Sequence, residues 1–254
     1  MKKFTYFLVL IFLVAACSKE SESIDVNSTL SGSYSTLLPI GNYLYAINKR
    51  QLATFDMTDK NNPVLLDNQD VGFDIENLYY SMGVLFIGSS QNLHIFEIGD
   101  DGIPFRKSQV NYFDFENMCS KDPVIVNGNI AYVTLSQSID DTENCIRGYI
   151  ANELRIYNID NLESPILLST LNLAVPKGLA LKDDILFVCE YYNGVSVIDV
   201  SDKTNPVKIA ELYGFQSYDV IIKDDLLIVV GPTEIREFDI SDVENIVEYG
   251  QINL

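Results

Sequence analysis

The chain of 254 residues has no tryptophan, one histidine and only 17 basic side chains against 36 acidic ones. Each shortage excludes a class of function. One imidazole removes metal centres built from several histidines and most chemistry that shuttles protons through a histidine. Phosphate binding needs clustered Lys and Arg, so a formal net charge of −19 argues against a nucleic-acid partner. The scarcity of basic charge does not mean disorder, because 47% of the residues are hydrophobic and a core can be buried.

What is present begins with Met1-Lys2-Lys3 and an apolar run from Phe4 to Ala16. A positive start and a run of this length make a secretory signal, too short for a bilayer span of about 20 residues. The run ends Leu13-Val14-Ala15-Ala16-Cys17, which resembles the lipobox of bacterial lipoproteins. The resemblance implies removal of residues 1–16 and acylation (diacylglycerol, palmitate) of Cys17. Loss of Lys2 and Lys3 then takes the net charge to about −21. Residues 17–30 read as a polar, Ser-rich tether, from Ser18-Lys19-Glu20-Ser21-Glu22-Ser23 onward. Lys followed by acids just after the acylated Cys is similar to the surface-export signal of Bacteroidetes lipoproteins, with Ser21 interrupting the acids. This implies the outer membrane, facing outward or into the periplasm.

Residues 31–254 are organised by a repeat. One phrase recurs: an aromatic or aliphatic residue, usually Asp, an apolar residue, a polar turn, then Pro. Its copies start at Phe55, Phe96, Tyr157, Ile198 and Phe238, spaced by 41, 61, 41 and 40 residues. Pro63, Pro104, Pro165 and Pro206 close four of them, and Ile246 replaces the fifth. Before each phrase lies a four-residue apolar run: Leu44–Ile47, Val84–Ile87, Ile130–Val133, Ile185–Val188 and Leu226–Val229. Each run follows a turn pair: Gly41-Asn42, Met82-Gly83, Gly128-Asn129, Asp183-Asp184 or Asp224-Asp225. Such pairs close hairpins, and β-branched and aromatic runs of this length make buried strands. With a strand before each turn and another after each Pro, a unit is a four-stranded meander. Five such units predict an all-β, five-bladed β-propeller of about 41-residue repeats. Ile24–Val26 or Val247–Tyr249 would supply the strand that closes the ring. Asp202 and Asp242 are placed to bond turn amides.

Gly194-Val195-Ser196-Val197-Ile198-Asp199-Val200-Ser201-Asp202 and Leu226-Leu227-Ile228-Val229-Val230 resemble the LVIVD repeat of secreted bacterial proteins. That family implies a propeller and carries no shared activity. The missing Trp argues against a WD40-type identity.

Candidate sites are of three kinds. Asp100-Asp101, Asp140-Asp141, Asp183-Asp184 and Asp224-Asp225 are paired carboxylates, but the last two recur at hairpin turns, so solvated turn residues explain them. Nothing has the ligand density of a metal or cofactor site. His94 lies in a strand run, sharing a face with Asn92 and Phe96, and reads as structural or superficial. Of the cysteines besides Cys17, Cys119 and Cys145 could pair across the insertion Ser136–Asn152, which links the second and third strands of the third unit. Cys189 reads as a buried free thiol. Propellers bind ligands at one mouth of their channel, so the loops before each first strand matter. Two of them match: Phe73-Asp74-Ile75-Glu76-Asn77 and Phe113-Asp114-Phe115-Glu116-Asn117. Together with Lys177, Tyr191, Tyr192 and Tyr218, the residues Asp74, Glu76, Asn77, Asp114, Glu116 and Asn117 form a candidate polar and aromatic rim suited to a glycan or peptide. Alternatively Phe73, Phe113 and Phe215 wedge between blades and their neighbours only solvate the rim.

These features are those of a lipid-anchored envelope propeller, held to the membrane through Cys17 and acting as a non-enzymatic module for a protein or glycan. The rival is a carbohydrate-active hydrolase or lyase using rim carboxylates such as Asp74 and Asp114.

Overall fold

The turn pairs set the local geometry. Their first residues, Gly41, Met82, Gly128, Asp183 and Asp224, have φ of 57°, 45°, 58°, 53° and 55°. A left-handed first residue in a two-residue turn matches the right-handed twist of the strands it joins. The repeated Asp pairs are therefore turn residues. The computed structural model describes residues 36–112, 123–136 and 151–254.

Twenty strands lie among the described residues, in five sheets. The first sheet holds β1 (Leu37–Ile40), β2 (Tyr43–Ile47), β3 (Gln51–Asp56) and β4 (Val64–Asp70). The second holds β5 (Ile75–Ser81), β6 (Val84–Ser89), β7 (Asn92–Ile98) and β8 (Pro104–Asn111). The third holds β9 (Val124–Asn127), β10 (Ile130–Leu135), β11 (Glu153–Asn158) and β12 (Ile166–Asn172). The fourth holds β13 (Leu179–Lys182), β14 (Ile185–Cys189), β15 (Val195–Asp199) and β16 (Val207–Leu212). The fifth holds β17 (Asp219–Lys223), β18 (Leu226–Val230), β19 (Glu234–Asp239) and β20 (Val247–Asn253). Each sheet is an antiparallel meander in chain order. The five apolar runs are the second strands, the repeated phrase ends the third, and Pro stands at the entrance to the fourth. Val247–Tyr249 open β20, the outermost strand of the fifth sheet; Ile24–Val26 lie outside the described residues. No helix among the described residues is long and apolar enough to cross a membrane.

In four of its five copies the phrase folds the same way, whereas in the second Gly99-Asp100-Asp101-Gly102 makes its own turn, closed by the Gly102 amide on the Gly99 carbonyl at 2.9 Å. Oδ1 of Asp56, Asp199 and Asp239 accepts the amide two residues on, at 2.7, 2.8 and 2.9 Å, and Asn158 does so at 2.8 Å. Three residues later Asp59, Asn161, Asp202 and Asp242 repeat the bond at 2.9–3.0 Å. The amides of Asn62, Ser164, Asn205 and Asn245 then close the turn. Short side chains that bond the backbone locally favour such turns over a continuing strand. The register between third and fourth strands slips by one residue at the same place in every sheet, beside Phe55, Phe96, Tyr157, Ile198 and Phe238. A bulge there adds local twist.

First strands of successive sheets approach one another, β1 to β5, β5 to β9, β9 to β13 and β13 to β17, so they lie innermost. The fourth strands lie outermost, and β20 is exposed along its length. Three apolar clusters fill the seams. One joins the first sheet (Leu38, Tyr45, Leu52) to the second (Leu85, Ile87, Phe96). One runs through the second, third and fourth sheets, and the last joins the fourth (Phe187, Val197) to the fifth (Leu227, Val229, Phe238). Among the described residues none joins the fifth sheet to the first. Phe96, Tyr157, Ile198 and Phe238 are buried, whereas the equivalent Phe55 is only half-buried.

Candidate binding rim and the clasps beneath it

In such meanders the second-to-third turns and the links from one sheet to the next share one end. Asp74, Lys177, Tyr191, Tyr192 and Tyr218 all fall there. Lys177, in the link between β12 and β13, donates its amide to the Cys189 carbonyl at 2.7 Å, while its carbonyl accepts from Thr134 Oγ1 at 2.7 Å. Tyr191 and Tyr192 occupy the turn between β14 and β15. Tyr218 ends the link into β17, and its carbonyl accepts the amide of Gly178 at 2.9 Å. A bridge between Tyr191 and Ser217 ties turn to link. The Tyr191 ring stacks on Tyr218 at 5.1 Å and meets Tyr192 edge-on at 4.1 Å, and the Tyr218 hydroxyl donates to that of Tyr191 at 3.3 Å. Tyr192 is 59% exposed.

The structure thus brings Lys177 and the three tyrosines together at the outer ends of the third, fourth and fifth sheets. Asp74 stands at the start of the second sheet, where its carbonyl accepts from the Ser90 amide at 3.1 Å. Glu76 and Asn77 are not loop residues: they lie in β5, beside a register slip, and Asn77 is fully buried. The slip turns this stretch back into the innermost strand sooner than its polar sequence indicated. Asp114, Glu116, Asn117, Cys119, Cys145 and Cys17 lie outside the described residues. Of the proposed wedges Phe215 is buried and stacks on Phe238 at 5.7 Å, but Phe73 is 49% exposed. Cys189 is a buried free thiol, its ionisation pushed up by burial.

Among the described residues, five non-glycine residues have positive φ. Met82, Asp183 and Asp224 serve hairpin turns. The other two are Asp74 (54°) and Tyr191 (33°), both at the candidate rim. A left-handed tyrosine is costly and must be held by its surroundings. The holder is Glu190, a buried carboxylate one residue earlier. It accepts from the Ala174 amide at 2.5 Å, from Lys208 Nζ at 3.1 Å and from the Ser196 hydroxyl.

The same device recurs, and sequence reasoning missed it. The residue two before each repeat aromatic is Ala53, His94, Arg155, Ser196 or Arg236. In sheets two to five this side chain, or its fourth-strand neighbour, engages the link arriving from the preceding sheet. Arg106 donates to the Val71 carbonyl and, at 2.9 Å, to His94 Nδ1. Arg155 donates to the Tyr112 carbonyl at 2.9 Å. Ser196 and Lys208 hold Glu190 against Ala174. Arg236 lies over the Phe215 ring at 4.7 Å. Arginine cannot serve as acceptor, so His94 Nδ1 is unprotonated and accepts. Burial, reinforced by Arg106, pulls the His94 pKa down to about 4. The signal was present in sequence as a polar residue at a fixed position inside an otherwise apolar strand.

Residues 1–18 match the model of the prokaryotic membrane lipoprotein lipid attachment site. A search of the curated proteins finds no match. Among solved structures the chain is similar to the periplasmic gluconolactonase PpgL of Pseudomonas aeruginosa, with TM-score 0.67 and 12% identity over 84% of this chain and 68% of that one. It is also similar to a hypothetical selenium-binding protein of Sulfolobus tokodaii (TM-score 0.58, 12% identity, 84% of this chain and 59% of that one). Apo AztD of Citrobacter koseri gives TM-score 0.58 and 13% identity over 84% and 60%. The fold is a five-bladed β-propeller. The chain spans only about two thirds, or less, of each of these longer propellers. At such identities the likeness extends to the fold alone. The attachment site makes this propeller a lipid-anchored envelope protein.

Proposed function

We propose that this propeller is a non-enzymatic binding module of the LVIVD-repeat type, anchored by acylated Cys17 in the outer membrane. Its ligand-facing surface is the tyrosine rim of the third to fifth blades. The observation that carries the reading is the strained, clasped turn at Tyr191, which presents two further tyrosine rings beside Lys177. Rigid aromatic faces bind partners with little loss of side-chain freedom, and an ammonium group beside them adds a polar contact. A glycan or an extended peptide fits this chemistry. Asp74 stands two or more blades away from the tyrosines and is not part of their cluster.

The test is binding of the detergent-solubilised full chain to a panel of saccharides and peptides. Replacing Tyr192 and Tyr218 together by Ala is expected to weaken the best binder about tenfold, from two lost stacking contacts. Affinity unchanged in that variant, or turnover of a saccharide abolished by Asp74→Asn, would overturn the reading.

A further inference from the structure

We infer that the tyrosine rim continues outward over the fourth blade as a line of rings that takes a linear saccharide chain. The inference rests on the rim reading above and adds to it a residue, Tyr213, and a class of ligand. Tyr213 directly follows β16, the outermost strand of the fourth blade, and is 82% exposed. The link it opens, residues 213–218, ends at Tyr218, beside the innermost strand of the fifth blade. This link therefore crosses the width of a blade from outside to inside, three strand spacings or about 14 Å. The turn that carries Tyr191 and Tyr192 joins the second and third strands, so it stands between those two ends. From the channel mouth outward the rings are Tyr218, Tyr191, Tyr192 and Tyr213. A single sugar covers one or two of them, whereas a chain can cover all four.

Backbone contacts fix the line. The Ser217 amide donates to the Tyr191 carbonyl at 2.9 Å, and its hydroxyl donates to the Gly194 carbonyl at 2.5 Å. A Cβ at Gly194 would collide with the Leu212 carbonyl, and one at Gly231 with the Gln216 carbonyl. The link is thus gripped between the turns of the fourth and fifth blades. The platform is formed before any ligand arrives, so little ordering remains to be done on binding.

The same contacts choose between a peptide and a saccharide. A peptide that adds itself by its backbone needs unpaired amides and carbonyls to pair with. Here the amides of Gly178, Asn193, Ser217 and Tyr218 all donate within the protein. What these loops turn outward is ring faces, the exposed amide of Asn193 and phenolic oxygens. A saccharide brings its own hydroxyl donors and acceptors together with apolar ring faces, a match for side chains with an apolar body and a polar tip. Charge agrees. In a chain with 36 acids, loops 190–194 and 213–218 carry only Glu190, which is buried. Glu211, beside the outer end, is paired with Lys208 at 3.3 Å.

The test titrates the detergent-solubilised full chain with cello-, xylo- and manno-oligosaccharides from monomer to hexamer, and with a proline-rich decapeptide. In at least one series affinity is expected to rise with chain length. Tyr213→Ala is expected to weaken the hexamer of that series about fivefold, from one lost ring contact, while leaving the dimer and the circular dichroism spectrum unchanged. Affinity independent of length, yet lost when Tyr192 and Tyr218 are both replaced by Ala, would overturn the inference and leave the rim reading standing. Decapeptide binding lost with those tyrosines, in a protein that binds no saccharide series, would overturn it in favour of a peptide. Binding of none of the probes would overturn it outright.

Discussion

At the scale of single residues, position within the repeat decides role more than residue type does. His94 is the only imidazole in the chain, yet it belongs to a structural series with Arg155, Ser196 and Arg236. Its pKa of about 4 in the fold lies below the ordinary value of 6.5. Between these values the unfolded chain binds a proton that the folded chain refuses. Stability is therefore full above pH 6.5 and falls as the pH drops toward 4. Chemical denaturation at pH 7 and pH 4.5 should show His94→Gln losing about 2 kcal/mol less than the wild type over that interval. Equal losses would mean that the imidazole is not held neutral. The strand run left His94 either structural or superficial, and the structure buries it. Its bond to Arg106 was not legible, because the two residues meet only through the pairing of β7 with β8.

At the scale of elements, almost everything was legible. Turn pairs, apolar runs and the Asp–Pro phrase each mark one local structure, and a fivefold repeat supplies five trials of the same reading. The exception is instructive. Glu76 and Asn77 look like loop residues because they are polar, but strand β5 begins at Ile75 and a register slip accommodates them. Side-chain polarity cannot signal an irregularity in backbone pairing. The phrase itself has a pH signature. Hydrogen bonds from Tyr249, and then from the Ser241 amide, hold the Asp239 carboxyl down at about 2. Asp199 is likewise lowered, first by the Ser201 amide. These acids stabilise their turns at neutral pH and cease to do so as the pH falls through their lowered values. Asp199→Ala combined with Asp239→Ala should lower the melting temperature at pH 7 and change it much less near pH 2. An equal drop at both values would locate the effect in packing instead.

At the scale of the whole molecule, the signal segment and the acidic charge act together. Acylated Cys17 places a strongly acidic propeller close to a lipid surface, where its charge discourages flat adsorption to anionic headgroups. Cys17→Ala should move the protein from the detergent phase to the aqueous phase on phase separation. Unchanged partitioning would mean that something other than an acyl chain holds it. Blade number followed from the repeat, but the state of the seam between first and last blades did not, since Phe55 and Phe96 read alike and differ only in what covers them. One last property follows from sheets that each use a single uninterrupted stretch of chain. No strand waits for a distant partner to be made. Chains emerge N-terminus first, so each blade can form as soon as its own four strands have crossed the membrane. The next blade then finds a finished surface on which to assemble. Export and folding of this protein can proceed in the same direction and at the same pace, beginning at the end that carries the lipid.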